Sequence, residues 1–521
     1  MSLLGPTRRV LGPSRPGRSA LFTAMMIGVL LALVSCGSGS TAPAPTATQP
    51  ARRPNIVFIL TDDLSWNLVT PQIAPHITAL EHQGETFDHY FVADSLCCPS
   101  RSTIFTGLFP HDTKVATNLP PDGGFGKFQQ EGLANRTYAT ALEAAGYRTS
   151  MLGKYLNGYG DPAMTPTTAP VPPGWTDWHV SNTTGYGEFN FDLNDNGVTH
   201  KYTGKGNYGV DVLNTHAQSF IRQSGATPFA LEVATFAPHQ PYTPAPRNAE
   251  DFPGLTEPRD PSFNAATTDA PAWLAQRAPL TAKQTAAEDA RYRERAQAVE
   301  SVDKLLADTE ATLAAEHELD KTYLVFSSDN GYHLGQHRLV QGKQTAFDTD
   351  IRVPLIISGP GVPAGRVMPQ VVQNVDLYPT FVSLAGAKPA MPVEGTSLVP
   401  LLHPGGAAPA WRSVALVEHE GKDSPDDPDF EGGGSNPTTY QAIRISARHL
   451  PGFPDPVEAV YVAYADSRRE TEFYDITRDP YEIHNMAASL TAAQRATLTR
   501  IVTVLANCHT HGACWSAASP A

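Results

Sequence analysis

The chain has 521 residues, with 38 Lys and Arg against 52 Asp and Glu and a formal net charge of −14. That length carries two or three domains' worth of core, and the acidic balance excludes a nucleic-acid binder that works through a broad basic face. Only 17% of residues are charged, while Pro and Gly number 46 and 41, so the composition points to a globular protein with many structured loops and not to charged disorder.

Residues 1–35 read as an export signal. Arg8, Arg9, Arg15 and Arg18 come without an acid, the apolar run Leu21 to Val34 follows, and Ser35-Cys36-Gly37 closes the segment. The run is shorter than the ~20 apolar residues of a membrane-spanning helix. Leu33-Val34-Ser35-Cys36 resembles the bacterial lipobox, in which the Cys is lipidated and becomes the mature N-terminus. The pair Arg8-Arg9 leaves twin-arginine export open beside the general route. Residues 36–53 then hold Cys36 and a Ser/Thr/Ala/Pro-rich tether. The expected location is extracytoplasmic, on a bacterial cell membrane through a lipid anchor alone, or secreted.

From Pro54 the texture is that of a folded body. Asn55-Ile56-Val57-Phe58-Ile59-Leu60 is the pattern of a strand buried on both faces, and it runs into Thr61-Asp62-Asp63. Helical stretches are expected over Tyr138 to Ala145 and Arg291 to Ala314. Asp192-Leu193-Asn194-Asp195-Asn196-Gly197 opens like a calcium loop, but Thr203 stands where a bidentate Glu is needed, so Asn196-Gly197 is expected to be a hairpin turn. A second buried-type strand, Thr322 to Ser327, runs into Ser328-Asp329-Asn330-Gly331, and Val353-Pro354-Leu355-Ile356-Ile357 follows. Strands alternating with helices predict an α/β fold, a sheet covered on both sides. From about Gly386 the texture changes to short strands and turns, then the amphipathic stretch Thr491 to Leu505. The division expected is a catalytic domain over 54–385 and a smaller α+β subdomain over 386–521.

In open α/β sheets, ligands bind beyond the carboxyl ends of the strands. Convergence of the two strand ends would gather Asp62, Asp63, Asp329 and Asn330 into a hard-oxygen set suited to Ca²⁺ or Mg²⁺. Asp and Asn also simply begin turns and cap helices, which is the bland alternative for each pair. The five cysteines sharpen the reading. Cys36 belongs to the lipobox, and Cys508 and Cys514 sit close enough to staple the C-terminus in an oxidising compartment. Cys97 and Cys98 remain, either as two structural thiols or as a reactive pair.

Cys97-Cys98-Pro99-Ser100-Arg101, followed by Ile104-Phe105-Thr106-Gly107, resembles the signature of the type I, formylglycine-dependent sulfatases. The resemblance continues in order through Gly153-Lys154-Tyr155, Ala237-Pro238-His239, Ser301-Val302-Asp303, Asp329-Asn330-Gly331, Gly342-Lys343, Asp350 to Pro354, Asp376 to Thr380 and Asp479-Pro480-Tyr481-Glu482. It is nearest to the N-acetylglucosamine-6-sulfatase and arylsulfatase branch and implies an alkaline-phosphatase-like fold. It further implies that a separate maturation enzyme oxidises Cys97 to formylglycine, whose hydrate attacks sulfur and later expels sulfate. On the same footing, Asp62, Asp63, Asp329, Asn330 and modified Cys97 hold Ca²⁺, with Mg²⁺ as the alternative. Arg101 holds the hydrate, Lys154 and Lys343 bind sulfate oxygens, and His239 contacts sulfate or protonates the leaving oxygen. Many members of the family carry a His shortly after the first Lys, where this chain has Leu156 and Asn157. The elimination base is thereby unassigned, with His333 and His337 as candidates. The expected substrate is a small sulfated carbohydrate or aryl sulfate. The alternatives are a phosphonate monoester or phosphodiester hydrolase of the same superfamily, and a non-catalytic surface protein that binds sulfated glycans.

Overall fold

The strand Asn55–Thr61 is buried along its whole length, as an unbroken β-branched and aromatic run without polar alternation requires. It pairs in parallel with Thr322–Ser328 on one side and with Phe229–Ala234 on the other, and Arg148–Lys154 continues the parallel block. These four strands are the centre of a ten-stranded mixed, mostly parallel sheet. One flank adds Asp177–Ser181 in parallel and then the antiparallel hairpin Phe191–Asp195 and Val198–Tyr202. The other adds Leu355–Ser358 antiparallel, Glu85–Phe87 and Arg366–Met368. The strand expected from Val353 starts two residues later, since Pro354 has no N–H to give to a ladder.

This computed structural model describes residues 52–161, 169–403, 409–421 and 437–520; the expected export signal and Cys36 lie outside the described residues. Both faces of the sheet are covered. Ile56, Phe58 and Leu60 enter one hydrophobic cluster and Val57 and Ile59 the other, which is the period-2 alternation of a central strand. The helix expected over Arg291 to Ala314 runs over Ala282–Ala315, because Thr281 and Gln284 form a capping box that starts it earlier. Its residues Val299, Val302, Leu305 and Leu306 line the second cluster. Asn196 and Gly197 take φ of 53° and 95° between the two hairpin strands, the geometry of a type I′ turn and not of a calcium loop.

Towards the C-terminus, Val414–His419, Tyr440–Ala447, Val457–Tyr464 and Thr471–Asp475 form a separate four-stranded antiparallel sheet. The helix Ala492–Leu505 packs on it through Leu498, Ile501, Val502 and Leu505. That cluster also takes in Ala93, Phe109 and Val375, so the small sheet shares its core with the segments around the main one. A Cys508–Cys514 disulfide ties the end of this helix to the helix His511–Ala518. Among the described residues, no helix is long and apolar enough to cross a membrane.

Candidate active site

The four central parallel strands all deliver chemistry at their carboxyl ends. Asp62 and Asp63 follow Asn55–Thr61, Asp329 and Asn330 follow Thr322–Ser328, Lys154 ends Arg148–Lys154, and His239 lies just past Phe229–Ala234. In-register pairing of Thr61 with Ser328 sets the two acidic ends side by side. Cys97 opens the fully buried helix Cys97–Thr106, so its thiol lies at the positive end of the helix dipole.

Around the Cys97 sulfur the groups are in direct contact. Its Sγ lies 3.3 Å from Asp62 Oδ1 and 4.0 Å from Asp63 Oδ1, and it accepts from Lys343 Nζ at 2.9 Å. Lys343 also donates to Asp63 Oδ1 at 2.7 Å, and Lys154 Nζ to Asp62 Oδ2 at 2.5 Å. Arg101, one helical turn after Cys97, donates through Nε to Asp329 Oδ2 at 2.7 Å and through Nη1 to the Lys154 carbonyl at 2.9 Å. His239 points Nε2 at Asp63 Oδ2 from 3.6 Å while its Nδ1 lies 2.7 Å from the Gln240 carbonyl. The nine residues Asp62, Asp63, Cys97, Arg101, Lys154, His239, Asp329, Asn330 and Lys343 are all buried.

Such density of charge survives without water only through mutual compensation. Burial works against the Lys154 ammonium, but Asp62 and Cys97 outweigh it and hold its pKa well above the usual value. Burial likewise opposes the Asp329 carboxylate, and Arg101 and Lys154 overcome it, so its pKa falls below the ordinary range. Cys98 behaves differently. Desolvation pushes its thiol up to about 12, which leaves it a neutral packing group and separates its role from that of Cys97. The oxygens suit a hard divalent cation. Asp63 Oδ2 and Asn330 Oδ1 are buried without a hydrogen-bond partner, the state expected of metal-ligating atoms.

Several residues of the site carry no motif in the sequence. Asp63 adopts φ of 64°, a left-handed conformation that costs a non-glycine residue roughly 1 kcal/mol. Arg295, fully buried in the long helix, stabilises it by donating to the Asp63 carbonyl at 2.5 Å, with its guanidinium 4.5 Å over the Tyr332 ring. Tyr186 forms a wall: its ring lies 5.0 Å from Lys154 Nζ and 4.7 Å from the His239 ring, and its hydroxyl accepts from Asn157 Nδ2 at 3.2 Å. Asn157, the departure from the expected His, is thus tied to this wall. His337 stacks on Phe347 at 3.8 Å, and burial together with the nearby His333 pushes its pKa down to about 3, which removes it as a base near neutral pH. His333 is held through Nδ1 by Asp350 at 2.9 Å, and its backbone pairs with Gly342 beside Lys343. Other motifs of the ordered series are scaffolding. Asp303 accepts from the Ile77 N–H at 2.8 Å, Asp376 from the N–H groups of Gln373 and Thr396, and Glu482 from that of Asp348.

Comparison with known proteins gives the same picture. The family model described as Sulfatase matches residues 54–387. The chain is 33% identical over 470 residues to the human N-acetylglucosamine-6-sulfatase, covering 84% of this chain and 82% of that protein. It is 31% identical over 510 residues to the arylsulfatase of Volvox carteri, covering 89% and 76%. Among solved structures, one of a protein in complex with its substrate D-glucosamine-2-N,6-O-disulfate superposes with a TM-score of 0.71 at 22% identity, covering 87% of this chain and 97% of that one. The phosphonate monoester hydrolase of Agrobacterium radiobacter gives 0.63 at 24% identity, covering 86% and 94%, a likeness of fold. On the family match and on relatives about a third identical over most of both lengths, the chain belongs to the sulfatase family and is a sulfuric ester hydrolase.

Proposed function

We propose that this sulfatase cleaves the sulfate ester of a sulfated carbohydrate, of the glucosamine-6-sulfate class, or of an aryl sulfate, with formylglycine at position 97 as its nucleophile. The observation that carries the reading is the single buried contact set in which Cys97 meets two carboxylates and an ammonium group. Asp62, Asp63, Asp329 and Asn330 would hold Ca²⁺, or Mg²⁺ in its place, together with the modified Cys97. When bound, the cation supplies positive charge that lowers the pKa of a coordinated hydroxyl and offsets charge in the transition state. A maturation enzyme would oxidise Cys97 to the aldehyde; hydrated by water, that group would supply a hydroxyl nucleophile towards sulfur and a second hydroxyl for release of sulfate.

The remaining steps belong to residues of this chain. Lys154 stays charged where burial would otherwise neutralise it, and Lys343 meets the Cys97 sulfur directly, so the two can hold the sulfate oxygens as negative charge shifts to the leaving alkoxide. Arg101 fixes Asp329 and the backbone at Lys154, which holds the strand end and the helix at a set distance. His239 is oriented through Nδ1 by the Gln240 carbonyl and faces Asp63 with Nε2, the nitrogen that would deliver a proton to the leaving oxygen. Tyr186, itself half-buried, covers Lys154 and His239 from one side.

The leader, the Cys36 lipobox and the tether support export and a lipid anchor as the sole membrane attachment. The family match ending at 387 supports the division into a catalytic domain, 54–385, and a C-terminal subdomain, 386–521. The test is turnover of the calcium-loaded enzyme on matched sulfate and phosphate or phosphonate esters, and on glucosamine 6-sulfate against its 3-sulfate isomer. Faster sulfate turnover with preference for the 6-ester is expected. Faster phosphonate or phosphodiester turnover would overturn the reading, and no turnover by protein carrying formylglycine would favour a glycan-binding role.

A further inference from the structure

The outer hairpin of the large sheet carries a second cluster of ligand-type side chains that the sulfate chemistry does not use. His179, on Asp177–Ser181, faces Asp195 in antiparallel register, with Nδ1 2.7 Å from Asp195 Oδ1. His216, from the helix Gly209–Ser224, lays its ring against His179 with centroids 4.0 Å apart. The Tyr202 hydroxyl lies 3.0 Å from His216 Nε2 and donates to Asp195 Oδ2 at 3.2 Å, which places the second imidazole nitrogen beside the same carboxylate. One ligand-type atom from each of His179, Asp195 and His216 falls within 4.8 Å of the other two, and all three residues are half-buried.

A supporting layer stands behind them. The far nitrogen of His179 faces Asp177 Oδ1 at 3.3 Å, and Asp177 is itself held by the Ser150 hydroxyl and the Asn196 amide. A carboxylate on the outer nitrogen of an imidazole is the arrangement that fixes a metal-binding His in orientation and raises its basicity.

We propose that His179, Asp195 and His216 bind a borderline divalent metal ion such as zinc, at a site distinct from the hard-oxygen set around Asp62. Two imidazoles and one carboxylate, with an outer position open to water, suit zinc, whereas calcium takes oxygen ligands. The site answers a structural need. Val198–Tyr202 is the outermost strand and mostly exposed, and the hairpin's own buried cluster amounts to Phe191, Leu193 and Val212. An ion bound there would fasten the sparsely packed outer hairpin to a strand and a helix that are themselves anchored in the large clusters through Trp178, Val180, Val210 and Leu213.

The test is zinc titration of the purified full chain in saturating calcium, followed by calorimetry and by thermal melting. Wild-type protein is expected to bind zinc with a rise in Tm. His179→Ala and His216→Ala should each weaken that binding on the order of tenfold or more and abolish the rise, while His509→Ala, in a distant cluster, keeps both. His216→Gln serves as the second variant should His216→Ala fold poorly, and sulfatase turnover should stay at the wild-type level in both. Zinc stoichiometry and Tm response that are unchanged by the His216 variants would overturn the site. So would a wild-type protein that binds no zinc while Tyr202→Phe lowers Tm, because a plain hydrogen-bond network then accounts for the cluster.

Discussion

The cluster at the strand ends and the cluster on the outer hairpin are built from similar side chains under opposite conditions. At the strand ends, Asp62, Asp63 and Asp329 are entirely buried, and Arg101, Lys154 and Lys343 meet them at 2.5–2.7 Å. On the hairpin, His179, Asp195 and His216 are only partly buried, so solvent screens part of what a removed partner leaves. The lesson is that depth decides whether a charge is replaceable. In the buried cluster each group is the condition for its neighbours' ionisation; on the hairpin burial opposes the His179 imidazolium and Asp177 and Asp195 likewise hold its pKa up, but solvent shares part of the compensation.

The largest effect that could break this contrast is on chemistry. Cys97→Ala should lower kcat on the order of 10⁴-fold or more, since no other group can replace a covalent nucleophile, whereas His179→Ala should leave steady-state turnover unchanged. Stability comes next. Arg101→Met strands Asp329 as an uncompensated buried charge and should cost about 3–5 kcal/mol in denaturant unfolding, against about 2 kcal/mol for His179→Ala.

A third charged contact, between the two sheets, sharpens the comparison by pH. Burial opposes the His111 imidazolium, but Glu418 at 2.8 Å and the Cys508 carbonyl at 2.7 Å outweigh it and push its pKa up to about 9. A folded-state pKa above the unfolded one means this stabilisation is full below about pH 6.5 and is lost as pH rises through about 9. The unfolding free-energy advantage of wild type over His111→Gln, on the order of 2 kcal/mol at pH 6, should therefore shrink towards pH 10. The smallest effect concerns Tyr186. Tyr186→Leu removes the ring beside Lys154 and should cost about 1 kcal/mol in kcat/KM, roughly fivefold, while Tyr186→Phe keeps the ring and most of the activity.

Much of the site was legible because its residues fall in ordered motifs at the ends of strands with a distinctive apolar pattern. Asn55 to Asp63 and Thr322 to Asn330 announce both the strand and the group it delivers, and the sheet's in-register pairing does the rest. Arg295 and Tyr186 were not legible, because their roles come from contacts across long stretches of chain. A single Arg in a charged helix reads as solvated until folding buries it against Asp63 and Tyr332. Tyr186 lies in a short helical turn whose sequence, Thr183–Gly187, carries no periodicity. The start of the long helix was misplaced for a local reason, the Thr281–Gln284 capping box. The hairpin cluster escaped notice because His179, Asp195 and His216 come from three elements and form no spaced motif.

The most direct measurement is the mass of the Cys97-containing peptide taken from active protein exported by its own host. An aldehyde in place of the Cys97 thiol is the predicted result, with the Cys98 thiol unmodified. An intact thiol at Cys97 throughout a preparation that turns over sulfate esters would contradict the proposed nucleophile.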